Sequence, residues 1–384
     1  MLDHPEIIKH AGGTIITADS ANRMAYNMMR AVLSGGTHAG SRNGGATDLK
    51  NVELTLTNPR ARHLHLEGRS SNIFQLIGES FWVHAAKGDI NKFLKFFIPR
   101  APEYSDDGQT WRGAYGPRIF ANGQMDGVVE RFQKDKLTRQ AVVDIYQSEL
   151  DSPEAIRNVY GLESSKDTPC NDFILFWVDH DDTFHMKTVQ RSGDVVFGAG
   201  SINIFEFTLM HEWMYEQIRA IYPELKLGHY HHNTINLHIY DFTRSQCEEV
   251  IYTPQRFGGV SPESVDSESR EVEECKFPIG IEKSKNFFAT LVGFWEEQIA
   301  GIRSFQRTVA DVADCFDSYC VPRDGNQLYD YATIVTAYIG SKTTPEDLPI
   351  EPFTFYGSSY SSGNELIHAV KKSKFRKFDV EHAW

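Results

Sequence analysis

The sequence is short of several things, and each shortage removes a class of function. Only five cysteines occur in 384 residues: Cys170, Cys247, Cys275, Cys315 and Cys320. Their odd number, wide spacing and lack of any CxxC pair fit free thiols in a reducing compartment. They do not suit a disulfide frame or a zinc site. No apolar stretch approaches the roughly 18 residues that cross a bilayer. Met1 is followed by LDHPEIIKH, without the basic start and apolar run of a secretion signal, so a cytoplasmic protein is expected. Positive charge is scarce as well, with 39 Lys and Arg against 52 Asp and Glu and a net charge of −13. That balance argues against capture of polymeric DNA or RNA. It leaves open a mononucleotide, because a local pocket of arginines can sit inside an acidic protein. No Walker lysine loop and no internal repeat is visible.

What remains is ordinary for a globular chain: 41% hydrophobic and 24% charged residues. Residues 20–33 place apolar side chains at helical spacing, with Asp19 or Ser20 as N-cap. A glycine-studded polar loop follows at 40–48 (GSRNGGATD), where Arg42 is suited to meet a phosphate among exposed backbone N–H groups. Residues 52–56 alternate like a strand. Residues 72–86 (NIFQLIGESFWVHAA) are apolar around most of a helix, yet Glu79 sits in the middle. A carboxylate there must be paired, protonated or functional. Tyr115 lies in a loop before a Gly-Pro turn, 127–136 reads as a short helix, and 139–147 as a strand opening with Arg139. Residues 204–222 form a long helix, and 234–241 a strand with His238 and Tyr240 on one side. A metal site from His229, His231 and His232 is disfavoured, because adjacent His231 and His232 point to opposite faces of a strand.

The chain is organised around residues 166–204. This stretch puts Cys170 after a proline at the head of an apolar strand. A second strand then leads into Gln190, Arg191, Ser192 and Asp194, and the stretch closes on Ser201-Ile202-Asn203. A lone thiol is more often an inert core residue. A thiol, an arginine and an Asn gathered by a short strand pair is a narrower signal. Beyond about residue 245 the character changes: 261–274 is acidic and serine-rich, 284–316 and 327–339 are helix-forming, and a proline-rich tail follows residue 343.

In this order the features resemble the thymidylate synthase superfamily, which includes phage deoxypyrimidine nucleotide hydroxymethylases. The motifs are Pro169-Cys170, Gln190-Arg191-Ser192-x-Asp194, Asn203-Ile204 and His238-Ile239-Tyr240. The early arginine loop, the Glu79 helix, Tyr115-Gly116 and Arg139 support them. The resemblance covers roughly residues 15–242. It implies an α+β fold with a large mixed sheet covered by helices. The expected organisation is a catalytic core over 1–244 and a mainly helical C-terminal extension over 245–384.

The resemblance also implies a chemistry. C5 of uracil is too poor a nucleophile to attack a one-carbon donor until a thiolate adds at C6, and Cys170 takes that role. Arg191 is the neighbouring cation that would lower its pKa. Arg191, Arg42 and Arg139 form the phosphate clamp, with Arg139 given by the partner of a homodimer. Asn203 reads the base at N3 and O4, which suits uracil. His238 and Tyr240 bind the sugar hydroxyl, and Gln190 and Ser192 support ring and phosphate. Glu79 and Tyr115 manage proton transfer, and Asp194 holds the pterin of 5,10-methylenetetrahydrofolate, the implied donor. No metal and no membrane is implied.

Several positions depart from the synthases. Asn171 follows Cys170 where they carry His, Gln140 follows Arg139 where they usually have a second arginine, and Tyr115-Gly116-Pro117-Arg118 looks like the hydroxymethylase version of its loop. Gly198-Ala199-Gly200-Ser201-Ile202 replaces a Gly-Leu-Pro-Phe segment and puts one more residue between Asp194 and Asn203. The chain ends in Glu381-His382-Ala383-Trp384 without a small apolar terminus. These departures touch the hydride step more than the ring chemistry. The expected activity is therefore hydroxymethylation of dUMP at C5. The alternatives are a thymidylate synthase, a dCMP hydroxymethylase disfavoured by Asn203, and a non-catalytic nucleotide-binding relative.

Overall fold

The computed structural model describes residues 6–41, 44–66, 68–69, 71–252 and 273–344. Arg42, most of the acidic stretch 261–274 and the tail with Glu381–Trp384 lie outside the described residues. One mixed sheet forms the frame. Its strands are β1 (Ile7–His10), β2 (Gly13–Ala18), β3 (Thr37–Ser41), β4 (Gly44–Leu56), β5 (Val142–Asp144), β6 (Asn171–Val178), β7 (Thr183–Gln190), β8 (Gly193–Asp194) and β9 (Lys226–Tyr240). They run in the order β1-β2-β4-β9-β7-β6-β5, with β3 on β4 and β8 on β9. β2 is parallel to β4 and β7 to β9, whereas β4–β9, β6–β7 and β5–β6 are antiparallel.

Alternation along β9 shows how the sheet is used. Gly228, Tyr230, His232 and Thr234 are buried, while His229 and Ile235 between them are exposed and His231 and Asn233 half-buried. A period of two with one buried side is the mark of a sheet covered on a single face. The cover is helical: α1 (Ala21–Gly35) and α5 (Asn203–Arg219) pack over it and α2 (Ile73–His84) packs on α5, with α3 (Tyr115–Phe120) and α4 (Gln124–Lys134) at one side. Ser20 caps α1, its hydroxyl accepting from the Arg23 N–H. After β9 the chain turns into α6 (Asp241–Tyr252), and α7 (Ile281–Ile299), α8 (Phe305–Ser318) and α9 (Gln327–Thr343) close the molecule.

The last three helices share the apolar core with the sheet. Phe81 of α2 meets Phe288 edge-on and Trp295 at a tilt, with centroids 5.0 and 5.5 Å apart. Phe74 stacks on Tyr338 at 4.5 Å. The mainly helical extension is thus packed directly on the helix that carries Glu79.

Four local expectations change. The loop at 40–48 is largely a hairpin in which Gly40 faces Gly45 and Ser41 faces Gly44. The strand expected over 139–147 is only Val142–Asp144, and Arg139 precedes it in a bend. Tyr115 opens a helix instead of ending a loop, with Pro117 in its first turn, where the missing N–H costs nothing. The helix expected across 284–316 breaks at Gly301, whose φ of +75° suits glycine, and Ser304 caps the next one.

Candidate active site

The β6–β7 hairpin builds the site. Asn171 pairs with Gln190, so the residues just outside that pair, Cys170 and Arg191, lie side by side. The Arg191 N–H donates to the Cys170 carbonyl at 3.0 Å. The guanidinium then folds back: Nε donates to the Pro169 carbonyl at 2.9 Å and Nη2 to the Thr168 carbonyl at 3.0 Å. Nη2 also stands 3.7 Å from Cys170 Sγ. A half-buried sulfur beside a fixed cation is the setting that favours a thiolate.

Behind the sulfur lies a buried polar chain with a defined direction. Burial, with a smaller push from Lys187, drives His232 down to about 3, so its ring is neutral. His232 Nδ1 stands 2.8 Å from both Thr188 Oγ1 and Tyr230 Oη, and its Nε2 is 2.9 Å from Gln190 Oε1. Two hydroxyls can donate and a carbonyl oxygen cannot, so the proton belongs on Nε2. Gln190 Nε2 in turn donates to Asn203 Oδ1 at 2.9 Å. The direction of every bond leaves Asn203 Nδ2 as the free donor at the end of the chain. Gly193 permits the arrangement, because a Cβ there would come within 2.2 Å of Gln190 Oε1 and push the amide out of the chain.

The extra residue before Asn203 is absorbed by a wide helical turn. Gly198–Ile202 forms a π turn that leads straight into α5 at Asn203. Such single-turn insertions occur at functional sites because they add a residue without moving the flanking helix.

The remaining expected residues surround this chain. β8 lies against β9 so that Asp194 is opposite His238. Asp194 Oδ1 accepts from the Val196 and Phe197 N–H groups, whereas its Oδ2 and His238 Nε2 are buried without a partner among the described residues. Burial raises the Asp194 pKa, against the pull of those backbone donors. His238 and Tyr240 share a side and meet edge-on at 4.6 Å. Ser192 is half-buried next to Arg191. Asn171 Nδ2 donates to the Tyr115 hydroxyl at 2.9 Å, and burial raises the Tyr115 pKa. Glu79 is buried on α2, and burial pushes it up to about 7 despite a long contact from Gln75 Nε2 at 3.5 Å.

Arg139 is not brought to this cluster within one chain. Val142 lies opposite Leu175, so Arg139 falls near the far end of β6, about eight residues and hence about 26 Å from Cys170. It is exposed there.

The thymidylate synthase family profile matches residues 25–273. The chain belongs to the thymidylate synthase family. Over 367 residues it is 37% identical to a protein of Delftia phage PhiW-14 named deoxyuridylate hydroxymethyltransferase, covering 95% of this chain and 98% of that one. Proteins of the same name from Bacillus phage SP01 and Pseudomonas phage M6 are 28% and 27% identical over 232 and 193 residues. They cover 56% and 50% of this chain, and 56% and 51% of their own length.

Within this family frame, several residues the motifs do not announce still line the site. Thr188, Tyr230 and His232 are strand residues whose roles depend on which face of the sheet is covered. Arg69 is buried, and burial lowers its pKa to about 10 near Asp194; its Nε and Nη1 find no partner among the described residues. Glu206 is 2% exposed on α5, three residues after Asn203. An acid within the largely apolar run NIFEFTLM was the available signal for it.

His232 turns to the covered face, while His229 and His231 project from the open face, where they join His185 with nitrogens within 4.8 Å of one another. His185 Nδ1 accepts from the His229 N–H at 3.0 Å and Nε2 stands 3.3 Å from Asp179 Oδ2. Its one ring proton therefore sits on Nε2, and the ring cannot coordinate through that atom without losing the Asp179 contact. No helix among the described residues is long and apolar enough to cross a membrane.

Proposed function

We propose that this chain hydroxymethylates dUMP at C5 to give 5-hydroxymethyl-dUMP. The observation that carries the reading is Cys170 Sγ held 3.7 Å from the Arg191 guanidinium, at the mouth of a buried chain that ends on Asn203. Cys170 thiolate adds to C6, which makes C5 an enolate carbon able to form a bond to an electrophilic carbon. Asn203 donates from Nδ2 to O4 and accepts from N3–H on the second lone pair of Oδ1. Cytosine offers a donor at position 4, where this amide also presents a donor, and is disfavoured. Arg191 and Arg42 take the phosphate.

The carbon is supplied at the formaldehyde level by 5,10-methylenetetrahydrofolate, bound as a second substrate. The buried acceptor Asp194 Oδ2 fits the N–H groups of a pterin, and Asp194 would hold it. His238 Nε2 and Tyr240 take the sugar hydroxyl, and Ser192 supports the phosphate. Glu79, poised near neutrality, and Tyr115 move protons at C5. The 37% identity over nearly the whole chain to the PhiW-14 protein supports water addition over hydride transfer, as does Asn171, bonded to Tyr115, at the position after Cys170.

The distance of Arg139 from Cys170 in one chain supports a homodimer in which each subunit gives this arginine to the other's phosphate. Residues 1–244 act as the catalytic core in the host cytoplasm. Residues 245–384 act as an extension whose described helices α7 and α9 back the Glu79 helix. The test is tritium release from 5-tritiated dUMP with methylenetetrahydrofolate, read together with the product. Release with 5-hydroxymethyl-dUMP and no dihydrofolate absorbance is expected. Stoichiometric dihydrofolate would make the chain a thymidylate synthase, and no release would remove C5 chemistry altogether.

A further inference from the structure

Glu206 stands out among the buried polar groups that this chemistry leaves unused. It is 2% exposed, and its Oε1 is buried without a hydrogen-bond partner among the described residues. Leaving a buried carboxyl oxygen unmatched costs several kcal/mol or forces the group to keep its proton. A chain that tolerates such a group places it where something else is bound.

Three observations locate it in the site. Glu206 lies three residues beyond Asn203 on α5, so both side chains leave the same side of the helix. The next residue, Phe207, stacks on the Tyr115 ring with centroids 5.9 Å apart. α5 packs on α2, the helix of Glu79, and the charge of Glu79 reaches Glu206 and adds to the burial that keeps it protonated. Among the described residues no cation balances Glu206, in contrast to Glu212 on the same helix.

The geometry points to Glu206 as a catalytic residue of the hydration step: with Glu79 it holds the water that adds to the C5 methylene. This deepens the proposed function and rests on it. Once C5 has lost its proton and the folate amine has departed, the ring carries an exocyclic C=CH2 and a C6–S bond to Cys170. The water oxygen bonds to the CH2 carbon, and the C=C electron pair moves onto the C5–C4–O4 enolate. The water's proton passes to the carboxylate of the Glu79–Glu206 pair. The enolate then re-forms C5=C6 and expels the Cys170 thiolate, and the extra proton leaves the pair to that sulfur or to solvent. A neutral carboxyl presents a donor and an acceptor on one group, which is what fixing a water of defined orientation requires.

The experiment measures 5-hydroxymethyl-dUMP and released tritium in the same reaction for the wild-type protein and for Glu206→Leu and Glu206→Gln. For Glu206→Leu the ratio of product to tritium should fall about a hundredfold or more, the scale of a lost acid–base group at its low end. The stranded methylene should then be captured by added 2-mercaptoethanol as a 5-thioether of dUMP. Glu206→Gln, which retains a donor and an acceptor but takes no proton, should show a smaller fall and serves if the leucine variant does not fold. An unchanged ratio in the folded variants, whether total turnover is retained or lost, would overturn the role of Glu206. Absence of tritium release from the wild-type protein would instead sink the underlying function.

Discussion

Two glutamates on one helix, six positions apart, meet opposite fates. Glu206 and Glu212 are both fully buried on α5. Burial opposes ionisation of Glu212, but Arg62 at 2.5 Å and Arg60 at 2.7 Å outweigh it and hold the pKa below the ordinary carboxylate range. The Cys275 N–H donates to the same carboxylate at 3.1 Å, tying the segment before α7 to the core. Glu206 has no such partners among the described residues and keeps its proton, and burial pushes Glu79 across the helix pair up to about 7. The contrast is between an acid answered by fixed charges and one that, on the proposed function, is left for a substrate to answer.

The sharpest way to break this contrast is through Glu79. Glu79→Gln should lower turnover roughly 10²–10⁴-fold, measured as tritium release, because an acid–base group is lost. A change below that range would move Glu79 out of the chemistry and make it a second structural acid. Next in size is the other member of the comparison. Arg62→Met leaves Glu212 buried with Arg60 as its remaining cation and should cost about 3–5 kcal/mol of unfolding free energy in urea. An unchanged midpoint would mean that Arg60 alone is enough to hold Glu212.

The same Glu79→Gln variant should be more stable than the wild type by up to about 3 kcal/mol above pH 7. The sign follows from a folded pKa raised from 4.5 to about 7. The folded state holds the proton more tightly, so its disadvantage is absent below pH 4.5, grows between 4.5 and 7, and is complete above. Thermal melts of both proteins across that window test it, and parallel pH curves would contradict the shift. The smallest effect concerns the neutral chain behind Asn203. His232→Leu frees the Gln190 amide to turn over, and the preference in kcat/KM for dUMP over dCMP should drop about tenfold, the value of one misdirected hydrogen bond. An unchanged preference would show that the direction of Asn203 is set elsewhere.

Much of the site was legible because it lies in a short stretch of chain. Cys170, Gln190, Arg191 and Asn203 come within 34 residues of one another, and a hairpin with strands of eight residues each joins the first three without distant help. His238 and Tyr240 followed from the period of a strand. Glu206 did not follow, since an acid at the start of a helix usually faces water or the helix dipole. Only the packing of α2 over α5, set by residues more than a hundred positions apart, turns it inward. The β3–β4 hairpin was hidden by its glycines, which read as loop and yet pair in register once β9 supplies a neighbour.

The aromatic seam between α2 and the final helices has a consequence for the order in which the protein matures. Phe74 and Phe81 flank Glu79 in sequence, and each is roofed by a ring more than two hundred positions downstream: Tyr338, Phe288 and Trp295. Until those rings arrive, the apolar face that α2 turns toward them is open to water. The nascent chain thus carries Cys170, Arg191 and Asn203 early. The core around α2 is complete only when the final helix docks.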